Sequence, residues 1–179
     1  MNVEKTPIED LLVITPRVFS DERGYFFESY NQRAFKEHGI DTNFVQDNQS
    51  YSTFGTLRGM HLQLGEHAQA KLVRVVKGEV LDVAVDLREN SPTFKKYFSV
   101  TLSEENGKQL FVPRGFAHGF VVLSKEAIFQ YKVDNFYNKE SESGFIYNDK
   151  EIGIEWKINE DDIQLSKKDE LLPSFKEMI

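Results

Sequence analysis

The chain has 179 residues, 40% hydrophobic and 13% aromatic, with a formal net charge of −7 and no cysteine. This composition can fill a hydrophobic core, and it excludes a disordered chain, a disulfide framework and thiolate chemistry or a thiolate metal site. The acidic balance argues against a nucleic-acid partner, so an anionic ligand must be met by a local basic cluster.

The N-terminal run MNVEKTPIEDLL lacks the basic-then-apolar order of a signal peptide. No apolar stretch approaches the ~18 residues that a membrane helix needs. A cytoplasmic protein with no membrane partner is expected. Without repeats, low-complexity tracts or linkers, residues 1–179 read as one domain.

Short strands then follow with turn signals between them. Leu11–Val18 and Gly24–Tyr30 flank the turn SDERG. Asn31–Gly39 reads as a short helix, with Asn31 as N-cap and Gly39 as terminator. Strands are expected at Asn43–Ser52, Thr56–Gln63 and Lys71–Val76, with a turn at Lys77–Gly78 into Glu79–Leu87. In that last strand Leu81, Val83, Val85 and Leu87 alternate with Asp82, Ala84 and Asp86, a period of two. More strands are expected at Tyr97–Leu102, Gln109–Val112, Gly115–Leu123, Ala127–Phe136 and Ser143–Tyr147, then a mostly looped tail with a helical turn near Ser166–Leu171. The pattern predicts an all-β sandwich or barrel with one or two short helices.

Chemistry concentrates in LRGMHLQ (Leu57–Gln63) and VPRGFAHGF (Val112–Phe120). Imidazole has its ordinary pKa, about 6.5, close to working pH. The inward face around His118 should carry Phe116, Phe120 and Val122, and the next strand should turn Phe129, Tyr131 and Val133 inward. Read alone, His61 also fits an ordinary strand-edge role, and His118 and Tyr131 fit satisfied core groups. Arg58 and His61 have opposite strand parity, so they share a cavity only if Gly59 forms a bulge between them. Asp82 is expected on the polar side of its strand, supporting the site from behind.

These segments, with DERGYFFES (Asp21–Ser29), FVQDNQSYS (Phe44–Ser52), AQAKLVRVVKGEVLDVAVDLRENSPTF (Ala68–Phe94), IGIEW (Ile152–Trp156) and LSKKD (Leu165–Asp169), resemble the dTDP-4-dehydrorhamnose 3,5-epimerase family in order and over nearly the whole chain. The resemblance implies a cupin-type jelly-roll barrel, usually a homodimer, working without metal or organic cofactor on a nucleotide-diphosphate sugar. It implies inversion of C3 and C5 of dTDP-4-dehydro-6-deoxy-D-glucose to give dTDP-4-dehydro-L-rhamnose. Protons at both carbons lie α to the C4 ketone, so the reaction needs a base on one face, an acid on the other and positive charge at the developing oxyanion.

By the same resemblance His61 is the base, Asp169 the carboxylate that orients it, Tyr131 the acid and Lys71 the cation at the keto oxygen. His118 donates to the sugar, Arg23 and Arg58 hold phosphate, and Phe26 and Tyr137 stack on the thymine. Glu28, Gln46 and Asn48 contact the base and adjacent nucleotide, and Glu142 and Lys168 make further ligand contacts. Leu11–Tyr30 offers an edge strand to a second chain, whose site Arg23 and Glu28 could then serve. Metal-binding cupins carry a His-x-His pair; here it reads His61–Leu62–Gln63. Met60 stands where leucine is common in the family, a mild change; Leu62, where an aromatic residue is frequent, and Tyr147, where tryptophan is frequent, leave the preferred sugar or nucleotide open. The competing readings are a single-centre epimerase of another nucleotide-4-keto-sugar, a non-catalytic sugar-binding jelly roll and a metal-dependent cupin oxygenase.

Overall fold

The computed structural model describes every residue from Met1 to Ile179. Its strands are β1 (Asn2–Lys5), β2 (Leu12–Thr15), β3 (Phe19–Asp21), β4 (Gly24–Phe26), β5 (Gln46–Thr53), β6 (Leu57–Gln63), β7 (Lys71–Lys77), β8 (Glu79–Asp86), β9 (Tyr97–Ser103), β10 (Gln109–Val112), β11 (Phe116–Val122), β12 (Glu126–Val133) and β13 (Glu142–Gly144). The helices are α1 (Gln32–Glu37), α2 (Lys167–Glu170) and α3 (Phe175–Met178), one more than expected. The extra helix starts at Ser174, whose backbone N–H and hydroxyl both donate to the Glu177 carboxylate, the Ser-x-x-Glu start signal. Strand β2 stops short of Val18 because Pro16 cannot donate to a ladder.

Two antiparallel sheets face each other, in the orders β1-β2-β10-β7-β12-β5 and β13-β6-β11-β8-β9. This is the expected jelly-roll arrangement, but the two sheets are not closed into a barrel by strand pairing. Between them the core joins Val73, Val75 and Phe129 of one sheet to Val80, Ala84, Phe116, Phe120 and Val122 of the other. Phe120 and Phe129 stack across the gap at 4.1 Å.

A second apolar layer lies outside the five-stranded sheet. There Leu81, Val83, Val85, Ala117 and Val121 meet Phe145, Ile152, Trp156 and Phe175 of the C-terminal segment. The Asp149 carboxylate anchors that segment by accepting from Ile152 N and Phe175 N. The period of two in β8 is therefore real, but both faces of the sheet are covered. Asp82 lies between the sheets, fully buried behind His118, in the supporting place expected of it. The side of β8 that carries Asp82 and Asp86 is buried, and the row of Leu and Val on its other side is covered by the tail.

The helix α1 caps the outer face of the six-stranded sheet, packing Phe35 with Ile14, Leu72 and Phe111. Asn31 Oδ1 accepts from Ala34 N, as an N-cap should. The hairpin β3–β4 pairs only with itself. No helix is long and apolar enough to cross a membrane.

Between β6 and β11, His61 pairs with His118 and Arg58 with Phe120, so three steps on β6 oppose two on β11. This is the bulge anticipated at Gly59. Gly59 has φ +134°, and a side chain there would run into the backbone of His118 and Gly119.

Candidate active site

A cavity of about 370 Å³ lies between the sheets, and the bulge turns both Arg58 and His61 into it. On the five-stranded wall His61 Nε2 is 2.6 Å from Asp169 Oδ1. Asp169 comes from α2, where Ser166 caps the helix at Asp169 N and donates its hydroxyl to Asp169 Oδ2 at 3.0 Å. A carboxylate accepts only, so a neutral His61 carries its proton on Nε2 and presents Nδ1 as the basic nitrogen. Burial pushes the Asp169 carboxyl upward, but hydrogen bonds from His61 and Ser166 and the charges of His61 and Lys168 outweigh it and hold the group below the usual range. Beside this pair, His118 Nε2 lies 3.0 Å from each oxygen of Asp82.

The six-stranded wall supplies Lys71 from β7 and Tyr131 from β12. Burial lowers the Lys71 ammonium to about 8, against the opposing pull of Asp82 and Glu142. Burial raises the Tyr131 phenol, while the Arg58 charge works the other way. Arg58 is steadied by Ser52 Oγ, which accepts from its Nε at 3.1 Å. At the rim, Tyr137 donates to Glu142 Oε2 at 2.9 Å and Lys168 to Glu142 Oε1 at 2.5 Å, so three charged or polar groups from separate segments form one chain. Burial works to raise the Glu142 carboxyl, but Lys168 and Tyr137 outweigh it and lower it.

The family model for dTDP-4-dehydrorhamnose 3,5-epimerase matches residues 5–177. The chain belongs to that family, and it is an isomerase. Over 159 residues it is 58% identical to a dTDP-4-dehydrorhamnose 3,5-epimerase of Shigella flexneri, covering 88% of each chain. The crystal structure of the enzyme from Elizabethkingia anophelis superposes with a TM-score of 0.95 at 58% identity, covering 99% of this chain and 97% of that one. The dTDP-6-deoxy-D-glucose-3,5-epimerase of Legionella pneumophila, solved in complex with dTDP-4-keto-L-rhamnose, is 46% identical with a TM-score of 0.90, covering 97% and 98%.

Within this epimerase fold, Arg58, His61, Lys71, His118, Tyr131, Tyr137, Glu142, Lys168 and Asp169 line one cavity. The other candidates do not. Asn48 lines a neighbouring cavity of about 150 Å³, and Gln46 Nε2 donates to its Oδ1 at 2.8 Å. Arg23 and Phe26 line a separate hollow around β3–β4, and Arg23 pairs with Asp21. Glu28 accepts from Asn31 Nδ2 at 3.1 Å. The hairpin pairs with no other strand and lies beside β7, and Arg23 and Phe26 are outside this chain's own cavity. The sequence reading missed Ser166, although Ser-x-x-Asp in LSKKD is a helix-start signal. It also missed Gln69, which lines the cavity with no local motif to mark it.

Proposed function

We propose that the chain inverts C3 and C5 of dTDP-4-dehydro-6-deoxy-D-glucose, giving dTDP-4-dehydro-L-rhamnose. One observation carries this reading: His61 and Tyr131 stand on opposite sheets and line the same cavity. Inversion needs that disposition, because the proton must leave from one face of the sugar and return to the other. His61 Nδ1 takes the α-proton, and the electron pair of the C–H bond moves into the enolate. Asp169 stabilises the imidazolium that results. The Lys71 ammonium faces the oxyanion. Tyr131 donates its phenolic proton to the opposite face, and solvent restores both groups. A phenol, ordinarily titrating at 10.0 and raised further here by burial, is protonated near neutral pH, the form an acid needs. The ligand of the Legionella relative supports this substrate.

The proposal assigns no metal. Gln63 occupies the position of the second imidazole in a metal-binding cupin, and the Nε2 of His61 is engaged by Asp169. It also includes a cytoplasmic location and a single catalytic domain. The test is incubation with dTDP-4-keto-6-deoxyglucose in deuterated water, following C3 and C5 by NMR. Deuterium is expected at both carbons, with inverted product. Exchange at one carbon alone refutes the two-centre assignment.

The active form is proposed to be a homodimer in which Arg23 and Glu28 serve the neighbouring site. The exposure of Phe19, Tyr25 and Phe26 on β3–β4 supports this, since such aromatic patches mark contact surfaces. Most of the expected edge, Leu11–Tyr30, is not free: β2 is paired on both sides, and only the hairpin offers an open strand. A fully active monomer by light scattering would contradict the dimer.

A further inference from the structure

Gln63 is the residue that breaks the His-x-His pattern, and the structure gives its amide a different use. It is 7% exposed and spends its whole side chain on backbone. Its Nε2 donates to His67 O at 2.7 Å and to Phe136 O at 3.1 Å, and its Oε1 accepts from Asn138 N at 2.6 Å. Two of these three bonds bracket Tyr137, whose backbone makes no hydrogen bond of its own. Tyr137 is 58% exposed and held otherwise only through its hydroxyl on Glu142, the residue paired with Gln63 in the ladder between β13 and β6. Gln69 Nε2 holds the start of the segment after β12 by donating to Asn135 O at 2.7 Å, and Gln63, two residues beyond His61 on β6, clamps Phe136 and Asn138 next to it.

We propose that Gln63 is a positioning residue that fixes Phe136–Asn138, holding Tyr137 at the rim of the cavity and setting the grip on the nucleotide. The inference rests on the nucleotide-sugar reading above and deepens it. Proton transfer belongs to groups deeper in the cavity, so Gln63 governs binding and not the chemical step. An amide suits the task because it offers two donors and an acceptor at one end, matching two carbonyls and one N–H. An apolar side chain of similar length leaves those three buried backbone groups without partners.

The test is a double-mutant cycle on the full-length protein, with dTDP as the probe in calorimetry and the keto-sugar nucleotide in kinetics. Gln63→Met is expected to weaken dTDP binding about fivefold and raise KM by a similar factor, the scale of one lost hydrogen bond. Its kcat should stay within about twofold. Placed in a Tyr137→Ala background, the same substitution is expected to add nothing, because the side chain it positions is gone. Additive losses, or a fall in kcat with KM unchanged, overturn the proposal. If Gln63→Met does not fold, Gln63→Glu takes its place; it keeps the acceptor for Asn138 and deletes both donated bonds, and the same cycle decides. Wild-type protein that binds no dTDP overturns the nucleotide reading and this inference with it, whereas wild-type binding with an additive cycle overturns this inference alone.

Discussion

Two histidine–carboxylate pairs lie side by side on the five-stranded sheet, and they are built from different material. His118 and Asp82 sit on adjacent strands, with side-chain exposures of 8% and 0%. Strand register alone brings them together. His61 and Asp169 are 108 residues apart, and His61 keeps 29% exposure beside the cavity. That pair exists only because the C-terminal segment folds back over the sheet, held by the Asp149 anchor and the Ser166 cap. Both imidazoles line the cavity with Nε2 on a carboxylate, but the sheet-internal one is nearly covered, whereas the one completed from outside the sheet stays open enough to meet a ligand, the arrangement a base requires.

The contrast is broken or upheld most sharply by removing each imidazole. His61→Asn should abolish deuterium uptake at C3 and C5, with turnover falling about 10²–10⁴-fold, the usual contribution of a general base. Asparagine keeps a polar shape but takes no proton near neutral pH. His118→Asn should reduce turnover far less and leave exchange measurable. Exchange by NMR in deuterated water reads both variants. Near-parental exchange in His61→Asn would move the base elsewhere.

The carboxylates should follow, at smaller scale. Asp169→Asn removes a charge-assisted hydrogen bond worth about 1.5–3 kcal/mol, so kcat should fall about 10- to 100-fold with little change in melting temperature. Asp82→Asn leaves His118 facing a neutral amide in a fully buried place, and its main cost should be about 1–3 kcal/mol of stability in urea denaturation. Equal effects of the two substitutions on kcat would erase the distinction between the pairs.

The difference between the pairs also explains what was legible in the sequence. Local rules placed the bulge at Gly59, the cap at Asn31 and the alternation of β8, because each depends on residues within a few positions of one another. They placed Asp82 behind the site but could not show that both faces of β8 are covered, since the cover of its Leu and Val row is the tail, far later in the chain. The union of His61 with Asp169 was available from family resemblance alone. In isolation, an aspartate between Lys168 and Glu170 has the look of a solvated surface charge. Arg23, Phe26 and Glu28 were grouped with the cavity by that same resemblance, and a single chain does not bring them there. The α3 helix was overlooked for a local reason, a capping signal in a tail read as loop.

The smallest expected effect lies on the opposite wall and concerns pH. The Lys71 ammonium is lowered by burial from 10.5 to about 8, so its charge is lost in the folded protein as pH rises through about 8. If that charge steadies the oxyanion, kcat/KM should be about half-maximal near pH 8 and fall further above it, since this parameter reports the free enzyme. Tyr131 cannot produce such a limb, because burial moves its titration above the ordinary phenol value of 10.0. The stability contribution runs the other way. Between about 8 and 10.5 the unfolded chain holds the Lys71 proton and the folded one does not, so this residue's contribution to stability rises with pH across that window. Activity and the Lys71 share of stability should therefore diverge on the alkaline side. Asp82 raises the Lys71 value, so Asp82→Asn should shift the limb to lower pH. A pH profile of kcat/KM for the parent, Asp82→Asn and Lys71→Arg, which cannot titrate in this range, checks the assignment. A limb that stays near pH 8 in Lys71→Arg belongs to another group and separates Lys71 from the oxyanion.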